Sequence, residues 1–211
     1  MALNKEIYQH LRYRIITNQL GAGQQLYEKE LMQEYKIGRT PLREIYQELQ
    51  RNGLIEIIPK LGTRVVTLDL KTLRETIQLR RELEGLAAEL AALHIEADQY
   101  KRLQVLIQSA ADVQDNTTAA LQKLADLDME FHQIIYEASG NRQIKIMIAS
   151  LLYKMSMYWF QVGFSAAKFR EQFDELEALL VAIGKKDSQS ARKIMRQHID
   201  HFTRLIRDNM F

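Results

Sequence analysis

Asp128 and His132 stand four residues apart in a run whose other inward positions are Leu121, Leu124, Phe131 and Ile135. His198 lies on a second such run, with Ala191, Met195, Phe202 and Leu205, and Arg80 on a third, with Leu73, Ile77 and Ala87. The three-and-four spacing puts each set on one helix face. An ionisable group on an apolar face has to be paired, hydrogen-bonded or metal-bound. Two chemistries compete. One is a set of structural ion pairs, for example Asp128 with Arg80, which need no ligand. The other is a polar cavity inside a helical bundle. There a carboxylate and two imidazoles are donors suited to Zn²⁺ or Ni²⁺, and Arg80 can take an anionic effector directly. A metal-dependent hydrolase using Asp128, His132 and His198 is the enzymatic alternative, but no further candidate base accompanies them.

Those residues need long helices to carry them. Only two prolines and nine glycines occur in 211 residues. Both prolines (Pro41, Pro59) and five of the glycines fall before Val66. Beyond that point helix follows helix, over about 70–94, 98–113, 117–138, 142–162, 167–184 and 188–209. No strand pattern or fixed-period repeat interrupts them. The expected architecture is mainly α, with a small domain at 1–68 and an all-α helical bundle at 69–211. Cysteine is absent, which removes disulfides and thiolate metal sites and fits an intracellular, cytoplasmic chain. No run resembles a signal peptide or a membrane span, so no membrane partner is expected. The net charge is +2, from 29 Lys/Arg and 27 Asp/Glu. Up to Val66 there are ten Lys/Arg against seven Asp/Glu, a local +3, which leaves −1 for the rest.

The small domain explains where that basic excess belongs. Ile7, Leu11 and Ile15 mark one helix, and Leu31, Met32 and Tyr35 mark a second over 28–35. A tight turn at 36–38 leads into "RTPLREIYQELQRNG". Thr40 is expected to cap this third helix, with Pro41 at its first position and Gly53 ending it. Leu42, Ile45, Tyr46 and Leu49 form its buried stripe, and Arg43, Gln47 and Gln50 share the outward face. "LIEII" and "TRVVT" read as two strands joined by a turn between Lys60 and Arg64. Three helices and a two-stranded wing make a winged helix-turn-helix. Arg39 and Arg43 sit at a helix N-terminus, where positive charge is locally unfavourable. On DNA the same position binds phosphate, and in a major groove Arg reads guanine and Gln reads adenine. The cost of those charges is expected to be offset only on DNA.

The segment "YEKELMQEYKIGRTPLREIYQELQRNGLIEIIPKLGTRVV" resembles the N-terminal domain of GntR-family bacterial transcription regulators. It keeps Arg39, Thr40, Pro41, Arg43 and Glu44 of the family's recognition helix, with Gly38 where Ser is usual and Ile45-Tyr46 where Ala-Leu is usual. The resemblance implies that Lys29, Arg39, Thr40 and Arg43 contact double-stranded operator DNA and that Gly62 lets the wing approach the minor groove; Gln47 joins them from the outward face of the third helix. "LRRELEGLAAELAA", "DMEFHQIIYEASGN" and "AIGKKDSQSARKIMRQHI" are similar to the FCD effector-binding domain of the FadR subfamily. This implies a regulator, usually a repressor, that senses a small carboxylate-type metabolite. One winged domain buries too little surface for high specificity, so a homodimer is expected. Arg80 and Asn141 are carried as effector-binding positions. Many members bind a metal through one Asp and three His. Asp128, His132 and His198 match three of these, while the remaining His position is Leu176. Glu175 and Glu177 flank it and would replace it only on a rotated helix.

Overall fold

The computed structural model describes residues 2–67, 70–161 and 165–210. The expected boundary at 68/69 and the expected helix end at 162 lie outside these residues. Two compact units are present, one of Met1–Leu73 with Ser150–Gln161, the other of Arg74–Ala149 with Val162–Phe211.

In the first unit the order is α1 (Ala2–Ile16), β1 (Gln25–Leu26), α2 (Glu28–Tyr35), α3 (Arg39–Arg51), β2 (Ile55–Ile58) and β3 (Gly62–Val65). Its core is the expected one: Ile7, Leu11 and Ile15 of α1, Leu31 of α2, and Leu42, Ile45, Tyr46 and Leu49 of α3 are buried. The sheet differs from expectation. It has three strands in the order β1-β3-β2, all antiparallel. β1 is two residues long, too short to show alternation, and it exists because β3 offers it an edge. Ile55 pairs with Val65 and Ile58 with Gly62, which fixes the hairpin register.

The cap of α3 also differs. Gly38, extended at φ −81° and ψ 176°, is the N-cap, and no side chain caps the helix. The Gly38 carbonyl accepts from Leu42 N at 3.3 Å. Thr40 therefore lies inside the first turn. Pro41 is still within that turn, where its missing N–H costs nothing. Gly53 takes up φ +68° after the helix, as expected.

The second unit holds α4 (Leu70–His94) from Arg74 onward, α5 (Ala97–Ala111), α6 (Thr118–Ala138), α8 (Ala166–Gly184), α9 (Ser188–Met210) and the first part of α7 (Arg142–Gln161). These match the expected helices to within two residues. Three of the starts are set by a local side-chain acceptor. Thr117 Oγ1 accepts from Ala120 N, Ser165 Oγ from Lys168 N, and Asp187 Oδ1 from Ser190 N. α8 packs on α5, α6 and α9. Gly85 governs the approach of α4 to α9: a Cβ there would stand 2.8 Å from Arg196 Cγ. The same two helices are tied at their rim by Arg81–Asp200 at 3.0 Å and Arg192–Glu89 at 2.6 Å.

Candidate functional site

The outward face of α3 is free. Arg43, Gln47 and Gln50 are exposed, opposite the fully buried Leu42 and Leu49. Lys29 on α2, Thr40 on α3 and Gly62 at the start of β3 are exposed as well. Arg39 is not unbalanced: its Nε donates to Glu28 Oε2 at 3.0 Å. The charge at the head of α3 is thus partly offset within the chain by the acidic first turn of α2, contrary to the expectation that only DNA offsets it. Arg43 has no ion pair among the described residues. Gly62 has a local reason as well. Its φ of +100° suits glycine, and a Cβ there would collide with Gln25 Nε2, which donates to the Leu61 carbonyl at 2.9 Å.

In the helical unit, the polar residues picked out by their stripes converge. Arg80, Asp128, His132 and His198 are all at least 95% buried. Asp128 and His132 come from α6, one turn apart, and His198 arrives from α9. One ligand atom from each of Asp128, His132 and His198 lies within 4.8 Å of the others. His132 Nε2 is 3.6 Å from Asp128 Oδ1 and 3.3 Å from His198 Nε2. The far sides of both rings meet carboxylates. Glu175 Oε2 is 3.1 Å from His198 Nδ1, and Glu84 Oε2 is 2.8 Å from His132 Nδ1. A carboxylate offers only acceptors, so the Nδ1 of His198 that faces Glu175 is the donor of that contact, and in the neutral ring the Nε2 lone pair is the one turned toward His132. The contact of His132 with Glu84 is close in distance but outside hydrogen-bond directionality.

Arg80 does not pair with Asp128. Its Nε donates to Glu84 Oε1 at 2.5 Å, one turn along α4. The i,i+4 partner on its own helix outcompetes the carboxylate on another. Tyr136 OH donates to the second oxygen of Glu84 at 2.8 Å. Burial pushes the Glu84 carboxyl up, but Arg80 and then His132 outweigh it, and the group is held well below the usual carboxylate range. Burial lowers His132, while Asp128 and Glu84 raise it further, so the imidazole ends above its ordinary value. Burial, reinforced by Glu84, holds the Tyr136 phenol well up. Arg80 Nη1 is buried without a hydrogen-bond partner.

Comparison with known proteins places both units. The GntR family of bacterial regulatory proteins matches residues 3–65, and the FCD domain matches residues 75–201. The chain belongs to the GntR family and carries an FCD domain. The HTH-type transcriptional repressor RspR of Escherichia coli K12 is 26% identical over 210 residues, covering 97% of this chain and 89% of RspR. Among solved structures, E. coli McbR/YncC has the same fold, with a TM-score of 0.83 at 20% identity over 100% of both chains. A GntR transcriptional regulator from Rhodococcus sp. RHA1 superposes with a TM-score of 0.78 at 15% identity, over 97% of this chain and 98% of that one. The chain is a DNA-binding transcription regulator and not an enzyme, which sets the hydrolase alternative aside. Among the described residues no helix is long and apolar enough to cross a membrane.

Within this GntR–FCD chain three further placements matter. Leu176 is fully buried in the apolar core and offers no ligand atom. Glu175, beside it, reaches the cluster from the flank of α8 with no rotation of that helix, as a partner of His198 and not as a fourth ligand. Asn141 caps α7, accepting from Gln143 N at 3.1 Å and Ile144 N at 3.3 Å. No contact among the described residues joins it to the Asp–His–His group. Sequence reasoning missed Glu84 and Tyr136, and it considered Glu175 only as a replacement ligand, not as the partner of His198. Glu84 was legible as the i,i+4 partner of Arg80 on a buried stripe, whereas nothing in the sequence near Glu175 pointed to His198.

Proposed function

We propose that this regulator is a repressor with a winged domain at 1–68 and a sensing and dimerising domain at 69–211. It works in the cytoplasm as a homodimer on a palindromic operator. Lys29, Arg39, Thr40, Arg43 and Gln47 face the DNA, Gly62 brings the wing close to the minor groove, and Arg43 is the candidate reader of guanine. The sensing site holds a divalent metal, Zn²⁺ or Ni²⁺, through Asp128, His132 and His198, and takes a small carboxylate effector with Arg80 and Asn141.

One observation carries the sensing part: two imidazole Nε2 atoms face each other at 3.3 Å beside the Asp128 carboxylate, in a buried place. Two lone pairs so close need a cation between them or a proton on one. The separation is also the one expected of two imidazoles on a single tetrahedral centre, about 3.3 Å for bonds of 2.0–2.1 Å. When bound, the metal supplies Lewis acidity toward an anionic effector. Asp128 supplies charge to the site, the two histidines supply neutral donors, and the unpartnered Arg80 Nη1 offers a hydrogen bond to a carboxylate. Leu176 leaves the protein ligand set at three, so an exchangeable position is available to water or effector.

The test is metal analysis of protein purified without chelator, followed by calorimetry against a panel of organic acids with and without metal. Metal content near zero, unchanged after incubation with Zn²⁺ or Ni²⁺, removes the metal from the proposal. Effector binding that survives without metal and is lost in Arg80→Ala then assigns the anion directly to Arg80.

A further inference from the structure

The Glu175 carboxylate is shared between two imidazoles of α9. Its Oε2 meets His198 Nδ1 at 3.1 Å and its Oε1 meets His201 Nδ1 at 3.0 Å. His198 is buried and His201 is 25% exposed at its side chain, so the carboxylate joins a solvent-facing ring to an interior one. Both oxygens face imidazoles. Glu84, the corresponding carboxylate for His132, is divided among Arg80, Tyr136 and His132, and it lacks hydrogen-bond directionality to the ring. The two histidines are therefore held differently. His198 has a directional carboxylate oxygen behind its ring, and His132 does not.

We propose that Glu175 is the positioning residue of the site: it fixes His198 in the tautomer that turns the Nε2 lone pair toward Asp128 and His132. This rests on the metal reading above and names the residue on which a three-ligand set depends. A carboxylate behind an imidazole raises its donor strength and locks its ring orientation, and losing such a partner typically costs about 10–100-fold in metal affinity. The effect is large here because Leu176 gives nothing in its place. Glu175 also explains how α8 contributes to the site without a ligand of its own. It sits one residue before Leu176, on the half-buried edge of the helix where its side chain runs alongside α9.

The experiment uses the full chain and Zn²⁺ as the probe. Competition with a chromophoric chelator measures affinity for wild type, Glu175→Ala, Glu175→Gln and His201→Gln. Imidazole ¹⁵N spectra of the metal-free proteins report each histidine's tautomer. Glu175→Ala is expected to bind Zn²⁺ about 10–100-fold more weakly and to shift His198 away from the Nδ1–H form. Glu175→Gln retains an acceptor oxygen and should recover most of both, while His201→Gln should leave His198 unchanged. If Glu175→Ala does not fold, Glu175→Asp, whose carboxylate is drawn back by one methylene, is read by the same two measurements. Wild-type affinity together with an unchanged His198 tautomer in the Ala or Asp variant overturns the proposal. Wild type that takes up no Zn²⁺ defeats the metal reading instead, and the tautomer spectra then still decide whether Glu175 sets His198.

Discussion

Arg39 Nε donates to Glu28 Oε2 at 3.0 Å, so the first residue of the recognition helix is held by the helix before it. The arginine side chain is 66% exposed, and a pair in that setting contributes only about 0–1 kcal/mol. The partner is weak enough to be exchanged for a phosphate. Glu28→Gln is therefore expected to leave stability almost unchanged and to tighten operator binding. Arg39→Ala should flatten the slope of log K against log salt by about 0.9, one phosphate contact. Fluorescence anisotropy over a salt series checks both, and identical slopes would show that Arg39 does not touch the backbone.

Arg43 has no ion pair among the described residues to give up. Arg43→Ala should weaken operator binding by about 1–3 kcal/mol and relax discrimination at one base pair. Its exposed position means the melting temperature should hardly move. Equal affinity for the operator at equal salt would rule out Arg43 as a reader.

Glu84 is fully buried between Arg80, Tyr136 and His132. Replacing it with Gln leaves the Arg80 charge without its partner, and breaking buried pairs in this way costs about 3–5 kcal/mol. Because its folded pKa is lowered, the stability Glu84 contributes is complete above its unfolded value of about 4.3 and is lost as pH falls toward the folded one. Urea titrations at pH 7 and near pH 4 should show a wild-type advantage over Glu84→Gln that shrinks in acid. An advantage that is absent at pH 7 would mean the pair is not stabilising.

Leu176 stands where the resemblance to metal-binding FCD domains implies a third histidine. Leu176→His should raise Zn²⁺ affinity by completing a four-ligand set, at some cost in stability from placing a polar ring in a fully buried site. Chelator competition and thermal melts without metal separate the two effects. Unchanged affinity would place residue 176 out of reach of the cluster.

The helices of the second unit were legible because each carries a clean three-and-four stripe, and charged residues on those stripes are hard to miss. Asp128, His132, His198 and Arg80 were found in this way. What escaped were relations between helices. Glu175 lies on the edge of its helix, half-exposed, and its role follows only from where α9 places His198 and His201. The Arg80–Glu84 pair is within reach of the sequence, since the two stand four apart, but Asp128 offers a second acid on a buried stripe and spacing alone does not choose between them. In the winged unit β1 was invisible because two residues carry no periodicity. Thr40 was misplaced because a glycine N-cap leaves no side-chain signal.

The short strand β1 has one further consequence. Gln25 belongs to the segment between α1 and α2, yet its amide holds the Leu61 carbonyl at the tip of the β2–β3 hairpin. Gly62, with no Cβ to obstruct that amide, is what allows the grip. The hairpin is thereby anchored at its far end as well as along its strands. A loop already held in one conformation has little freedom left to surrender on association, so less ordering entropy would oppose the proposed docking of the wing on DNA.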